Sequence, residues 1–238
     1  QPILPECLSD AFSRGCAEGP QHSSWACPAG YSPGLEIDLE IDLPCIEVAD
    51  VCPEGEYAAV EGLENVRYVH PDGASDGDGS VDSPVDTIHA ALELARESGG
   101  HVDAVLVARG TYQERIVNDV NTRIIGACAS ETVVVYGVAD GTQPYSVILE
   151  GNGLPTLERV TLTGDREGVV VRTSASMEQV IIEGKAGFGI HVEGEDVELE
   201  IEQVVISRML SDFGTARSIH VGEGSSLSAS GVLIDGGS

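Results

Sequence analysis

The chain has 238 residues, 42% of them hydrophobic, and carries 40 acidic side chains against 12 basic ones for a net charge of −28. That field repels nucleic acid, whose phosphates need Lys and Arg to displace their counterions, and disfavours anionic polysaccharides that no cation bridges. No apolar run reaches the roughly 18 residues of a membrane span, so no transmembrane segment is expected.

Residues 1–65 form a block rich in Cys, Pro and Gly. Cys7, Cys16, Cys27, Cys45 and Cys52 crowd it, and Cys128 is the single cysteine beyond it. An even number without a C-x-x-C pair points to disulfides rather than zinc, and to an exported protein, extracellular or at the cell surface. The connectivity is open; a bridge through Cys128 would pin this disulfide-linked region to the main body. The start "QPILPECLSDAF" has no basic n-region and no apolar h-region, so a signal peptide is read as already removed. "LEIDLEIDL" (residues 35–43) alternates with the period of a strand. Its acidic face is read as solvated, with a cation-binding stripe as the alternative.

The second block opens at residue 66. "RYVH" reads as a short strand and "PDGASDGDGSVD" as a turn-rich loop. Asp72, Asp76, Asp78, Ser80 and Asp82 place hard oxygens within that loop, a candidate Ca²⁺ site without the bidentate Glu of an EF-hand. The competing reading is a structural turn. A helix is then expected over 84–98, with Ser83 as N-cap, Pro84 at the first helical position and Asp86 closing a capping box. Ile88, Ala91, Leu92 and Ala95 form its apolar face, and Gly99 and Gly100 stop it. His89 inside it reads as structural.

From Val102 onward short β runs alternate with Gly, Asp and Ser. Two motifs recur. One is "LERVTLTG", "MEQVIIEG", "IEQVVISR" and "ASGVLIDG"; the other is "SVILEG", "GVVVRT", "GIHVEG" and "SIHVGE". One copy of each makes a unit of roughly 20–26 residues, the size of one solenoid coil. Val, Ile and Leu recur at the inward positions, where stacked coils share a narrow core.

This coil repeat, together with "YVHPDGASDGDGSVDSPVDTIHAALELA", "VLVARGTYQERI" and "RIIGA", resembles the right-handed parallel β-helix of the pectin-lyase-like superfamily. The resemblance implies an all-β solenoid over 66–238, with an N-terminal cap at 66–101 containing the capping helix, and coils at 102–238. The chain stops at "GVLIDGGS", directly after a coil strand, so an incomplete C-terminal end, or a partner stacked end to end on it, is expected. Chondroitinase-type and pectate-lyase-type enzymes share such an opening, as do surface proteins with no known activity.

Stacking the second motif places Ile148, Val170, His191 and His220 in one outward column, with rungs about 4.8 Å apart. Glu150, Arg172 and Glu193 form a parallel column two positions along. His191, Glu193 and His220 are a candidate transition-metal or acid/base cluster; the alternative is a solvent-facing polar ladder. Lyases of the superfamily use calcium and an Arg or Lys base. Arg172, Lys185, His191 and His220 are the catalytic candidates, but Lys185 and Arg159 lack a fixing motif and Arg172 reads more simply as an ion-pair rung. Asp165 and Glu167 lack the distinguishing partner a hydrolase pair needs. No cofactor other than Ca²⁺ is implied. The expected function is a binding or structural β-helix module, glycan-binding and calcium-stabilised. The alternative is a polysaccharide lyase or glycoside hydrolase acting in a groove along the coils.

Overall fold

A computed structural model describes residues 31–33, 45–47, 52–99, 102–136, 144–184, 187–207 and 217–235. Cys7, Cys16, Cys27, Lys185 and the alternating segment 35–43 lie outside the described residues. Strands β1 (Tyr31–Pro33) and β2 (Cys45–Glu47) pair antiparallel. All other strand pairs in the described residues are parallel ladders within three sheets.

The chain visits these sheets in strict rotation. After β3 (Val66–Ala74), one coil comprises β4 (Ala104–Val107), β5 (Gly110–Tyr112) and β6 (Ile116–Asn118). The next comprises β7 (Arg123–Gly126), β8 (Thr132–Val135) and β9 (Tyr145–Leu149). Then follow β10 (Thr156–Glu158), β11 (Thr161–Thr163) and β12 (Glu167–Val171), and after them β13 (Ala175–Glu178), β14 (Ile181–Glu183) and β15 (Phe188–Val192). The last are β16 (Glu198–Glu202), β17 (Val205–Ser207) and β18 (Arg217–Val221), followed by β19 (Ser226–Ser230) and β20 (Leu233–Asp235). The first sheet runs β19-β16-β13-β10-β7-β4-β3, the second β20-β17-β14-β11-β8-β5 and the third β18-β15-β12-β9-β6. This all-β topology of three parallel sheets is compatible with a β-helix.

Registration of like side chains explains why the repeat is needed. In the first sheet Val105, Ile124, Leu157, Met177 and Ile201 are consecutive partners. Ile116, Val147, Val169, Ile190 and Ile219 do the same in the third. These stacks, with Val134, Leu162, Ile182 and Ile206 of the second sheet, merge into one core cluster. An intruding polar group would meet neighbours above and below as well as across the core.

The first motif is not one strand. Each copy turns a corner between the first and second sheets, and the corner residue is left-handed: Arg159 (φ 55°), Gln179 (φ 54°) and Gln203 (φ 53°), with Gly231 (φ 59°) at the same place in the last copy. A left-handed conformation costs a non-glycine residue roughly 1–2 kcal/mol, so the side chains there must return something. They do so as a ladder: Arg159 Nε donates to Gln179 Oε1 at 3.0 Å, and Gln179 Nε2 donates to Gln203 Oε1 at 3.0 Å.

The helix α1 is shorter than its sequence signals predict, spanning Ile88–Glu97 with Thr87 as N-cap. Ser83 and Pro84 are not its start. Val85 forms parallel bridges to Val69 and Ala74, and Pro84 O accepts from Ala74 N, which holds this stretch extended. Thr87 Oγ1 accepts from Ala90 N. The role expected of Asp86 falls to Glu114, far along the chain, whose two oxygens accept from Ile88 N and His89 N at 2.9 and 2.8 Å. The buried face is the expected one, Ile88, Ala91, Leu92 and Ala95, and Gly99 follows in the left-handed region (φ 75°). Strand β3 continues through Pro71 to Ala74, beyond the expected "RYVH". It tolerates Pro71 because it is the outermost strand of its sheet.

The stretch 52–65 packs on the outer face of the first sheet. Tyr57, Val60 and Leu63 lie against Ala104, Leu106 and Ile125. The Cys52–Cys128 disulfide, with a Cα–Cα distance of 5.3 Å, fastens it to the coils. Arg109 adds three contacts, to Pro53 O, Gly55 O and Glu131.

Candidate functional site

The outer face of the third sheet carries the two columns anticipated from the repeat. Ile148, Val170, His191 and His220 are consecutive partners. They are not a solvent-facing ladder. Ile148 and Val170 are buried, and the His191 side chain is only 16% exposed. The β-branched and aliphatic members of the column therefore sit under cover, although they point away from the coil core. Phe188 closes the site from its own strand, with ring centroids 4.9 Å from His191 and 5.3 Å from His220, and the two imidazoles are 4.8 Å apart. Nδ1 of both histidines is buried without a hydrogen-bond partner. Burial holds the His191 pKa below the ordinary histidine value. Glu193 opposes that shift, while His220 and Arg172 add to it.

Arg172 is the centre of the second column. Its Nε donates to Glu193 Oε1 at 2.7 Å and its Nη1 to Glu150 Oε2 at 3.2 Å. These hydrogen bonds, Glu193 first, raise its pKa further above an already high value. The guanidinium carbon lies 6.0 Å from the Tyr145 ring centroid. The candidate base is thus an ion-pair rung between carboxylates on the coils before and after it. Arg159 is tied into the corner ladder.

His191 Nε2 lies 3.9 Å from Glu193 Oε2, beyond hydrogen-bonding reach. Among the described residues, the only three His, Cys, Asp or Glu ligand atoms lying within 4.8 Å of one another belong to Cys52, Cys128 and Glu131. Two of those are consumed by the disulfide. His191 and His220 therefore share one column with Glu193 in the next, and the three do not converge on one point.

The acidic loop is closed by its own backbone. Gly77 N donates to Ala74 O, Gly79 N to Ser83 O, and Ser83 N to Ser80 O, while Gly79 O accepts from Tyr68 N of β3. Asp78 Oδ1 accepts from Ser80 N at 2.8 Å, and bonds from Ser80 hold its carboxyl below the usual range. Asp72 N donates to His70 Nδ1, whose Nε2 faces Glu56 at 2.6 Å. The carboxylates of Asp72, Asp76, Asp78 and Asp82 do not gather in threes within 4.8 Å.

Glu167 begins β12, and burial followed by the nearby Glu193 raises its carboxyl pKa.

One place escaped sequence reasoning altogether. A cleft of about 680 Å³ opens where β3, β4, β7 and β10 begin, lined by residues that include Leu63, Glu64, Asp103, Asn121, Arg123 and Leu154. These residues lie in four separate stretches of chain, so only the register of the coils brings them together. Asp103 Oδ2 accepts from Glu64 N and Asn65 N at 2.9 and 3.0 Å, which depresses its pKa and keeps it ionised. Asn121 Oδ1 accepts from Leu154 N at 2.9 Å. Arg123 sets Nε and Nη2 on the two oxygens of Glu158. The sequence signal that was available is modest: Asp103, Asn121 and Leu154 each stand just before a first-sheet strand.

Comparison with protein-family models, with curated proteins and with solved structures finds no match to this chain.

Proposed function

We propose that this chain is an exported binding or structural module built on a right-handed parallel β-helix of the pectin-lyase-like kind, with glycan as its ligand class. The observation that carries the reading is the state of Arg172. A proton-abstracting base must be able to lose its proton and face the substrate, and Arg172 is held between Glu150 and Glu193 with its pKa raised. Parallel crossovers are almost always right-handed, which supports the handedness. The Cys52–Cys128 bridge supports export, because such bonds persist in oxidising compartments. Calcium stabilisation at Asp72, Asp76, Asp78, Ser80 and Asp82 belongs to the proposal on the strength of its oxygen donors. The ion would have to draw together carboxylates that stand apart.

The alternative of glycoside hydrolysis draws on Glu167, a carboxyl with a raised pKa beside Glu193, which is the condition of a general acid near a carboxylate. The test is turnover of neutral and uronate glycans, with and without a chelator. The proposal predicts no new reducing ends and no unsaturated uronate. Turnover abolished by Glu167→Gln would replace it with the hydrolase, and chelator-sensitive formation of unsaturated uronate with the lyase. Melting in calcium against chelator separately tests the ion, and identical midpoints would remove it.

A further inference from the structure

We infer that the cleft at the strand starts of the first sheet is a binding site for a neutral saccharide. This rests on the glycan-binding reading above and gives it a location away from the Arg172 face.

A sugar hydroxyl both donates and accepts, so it is read by an acceptor and a donor fixed side by side. The cleft supplies both, each anchored through its other atoms. Asp103 spends Oδ2 on two backbone N–H groups, leaving Oδ1 as a charged acceptor. Asn121 spends Oδ1 on Leu154 N, which leaves its NH₂ group as a donor. Arg123 spends Nε and Nη2 on Glu158, leaving Nη1 unengaged among the described residues. All three are oriented before any ligand arrives, which lowers the entropic cost of binding. The adjoining rungs, about 4.8 Å apart, carry them in series along the groove.

The apolar parts fit the C–H faces of a sugar ring. Leu154 is 65% exposed, with no covering partner among the described residues, and the half-buried Leu63 lines the same cleft. The volume of about 680 Å³ falls within the range of small-molecule sites. Charge selects the class. Arg123 is matched by Glu158, so Asp103 and Glu64 leave the cleft negative in a chain of net charge −28. Uronate and sulfated glycans are repelled, and uncharged ones are not.

The test is calorimetric titration of the whole disulfide-bonded chain with gluco-, galacto- and manno-configured neutral di- and trisaccharides, and with matching oligouronates. Binding of a neutral saccharide is expected. Asp103→Asn keeps an oxygen for the two backbone donors but turns the free acceptor into a donor, and Leu154→Ser removes the apolar rim. Each should weaken binding about tenfold, while His191→Gln leaves it unchanged. If Asp103→Asn lowers the melting midpoint, the exposed Leu154→Ser decides alone. Saccharide binding that Leu154→Ser and a folded Asp103→Asn leave intact overturns this site while the glycan reading stands. No binding of any neutral saccharide overturns this site, and no binding of the oligouronates either overturns the glycan reading as well.

Discussion

Replacing Gln179 removes the middle rung of the corner ladder and separates its two costs. The residue is 4% exposed, accepts from Arg159 Nε and donates to Gln203 Oε1. Gln179→Ala deletes both bonds. The first involves a charged donor, worth about 1.5–3 kcal/mol, and the second a neutral pair, worth about 1 kcal/mol. Arg159 and Gln203 are only partly buried, so water recovers some of this, and a net loss of about 2–3 kcal/mol is expected. Gln179→Gly loses the same bonds but relieves a φ of 54°, so it should be about 1 kcal/mol more stable than the alanine variant. Gly231, which holds the equivalent corner in the last coil, shows that glycine is accommodated there. Urea denaturation with the disulfide intact, followed by far-UV circular dichroism, gives both differences. An alanine variant as stable as the glycine variant, or as stable as wild type, would refute the claim that the corner is strained and that the amides compensate it.

Other predictions address the packing, the crosslink and the histidines. Gly168→Ala places a Cβ 2.0 Å from the Gly189 carbonyl oxygen on the next coil, so it should destabilise by about 1–3 kcal/mol, read from the same urea curves. Replacing both Cys52 and Cys128 by Ser opens a loop of sequence separation 76 and should lower stability by about 2–4 kcal/mol, measured as the shift in urea midpoint from wild type without reductant. His191 has a folded pKa depressed below its unfolded value, so between those two values the unfolded state binds more protons. Its contribution is therefore fully present above the unfolded pKa of about 6.5 and is lost as pH falls below it. Glu114, Glu167 and Glu178 have raised pKa values and act in the opposite sense at lower pH. The quantity to measure is consequently the difference between wild type and His191→Gln. That difference should move against wild type as pH falls from 7 through 6, and a flat difference would count against the packed-imidazole account.

The parallel three-sheet stack was legible because a shared core leaves the same mark on every repeat. The partners Ile148, Val170, His191 and His220 could be aligned by eye from "SVILEG", "GVVVRT", "GIHVEG" and "SIHVGE". The Glu150–Arg172–Glu193 ladder followed from the same alignment. What the alignment lacked was depth. Period-two alternation says which way a side chain points, but not what lies over the sheet, and Ile148 and Val170 proved to be buried. The helix start was misplaced for a similar reason. Ser83, Pro84 and Asp86 satisfy every local rule for an N-terminus, but the bridges from Val85 to Val69 and Ala74 keep the chain extended. The cap that replaces them, Glu114, is distant in sequence. The corner was hidden because Arg159 and Gln179 are not residue types that announce a positive φ. The cleft residues were scattered, with no motif to join them.

The central claim is that the molecule binds saccharide and leaves it unchanged. It is tested most directly by incubating the chain with the neutral oligosaccharide that binds best in calorimetry, and then analysing that oligosaccharide chromatographically. The account predicts saturable binding with the oligosaccharide recovered intact and no new reducing ends. Shortened products that accumulate with time and disappear in the Glu167→Gln variant would contradict it.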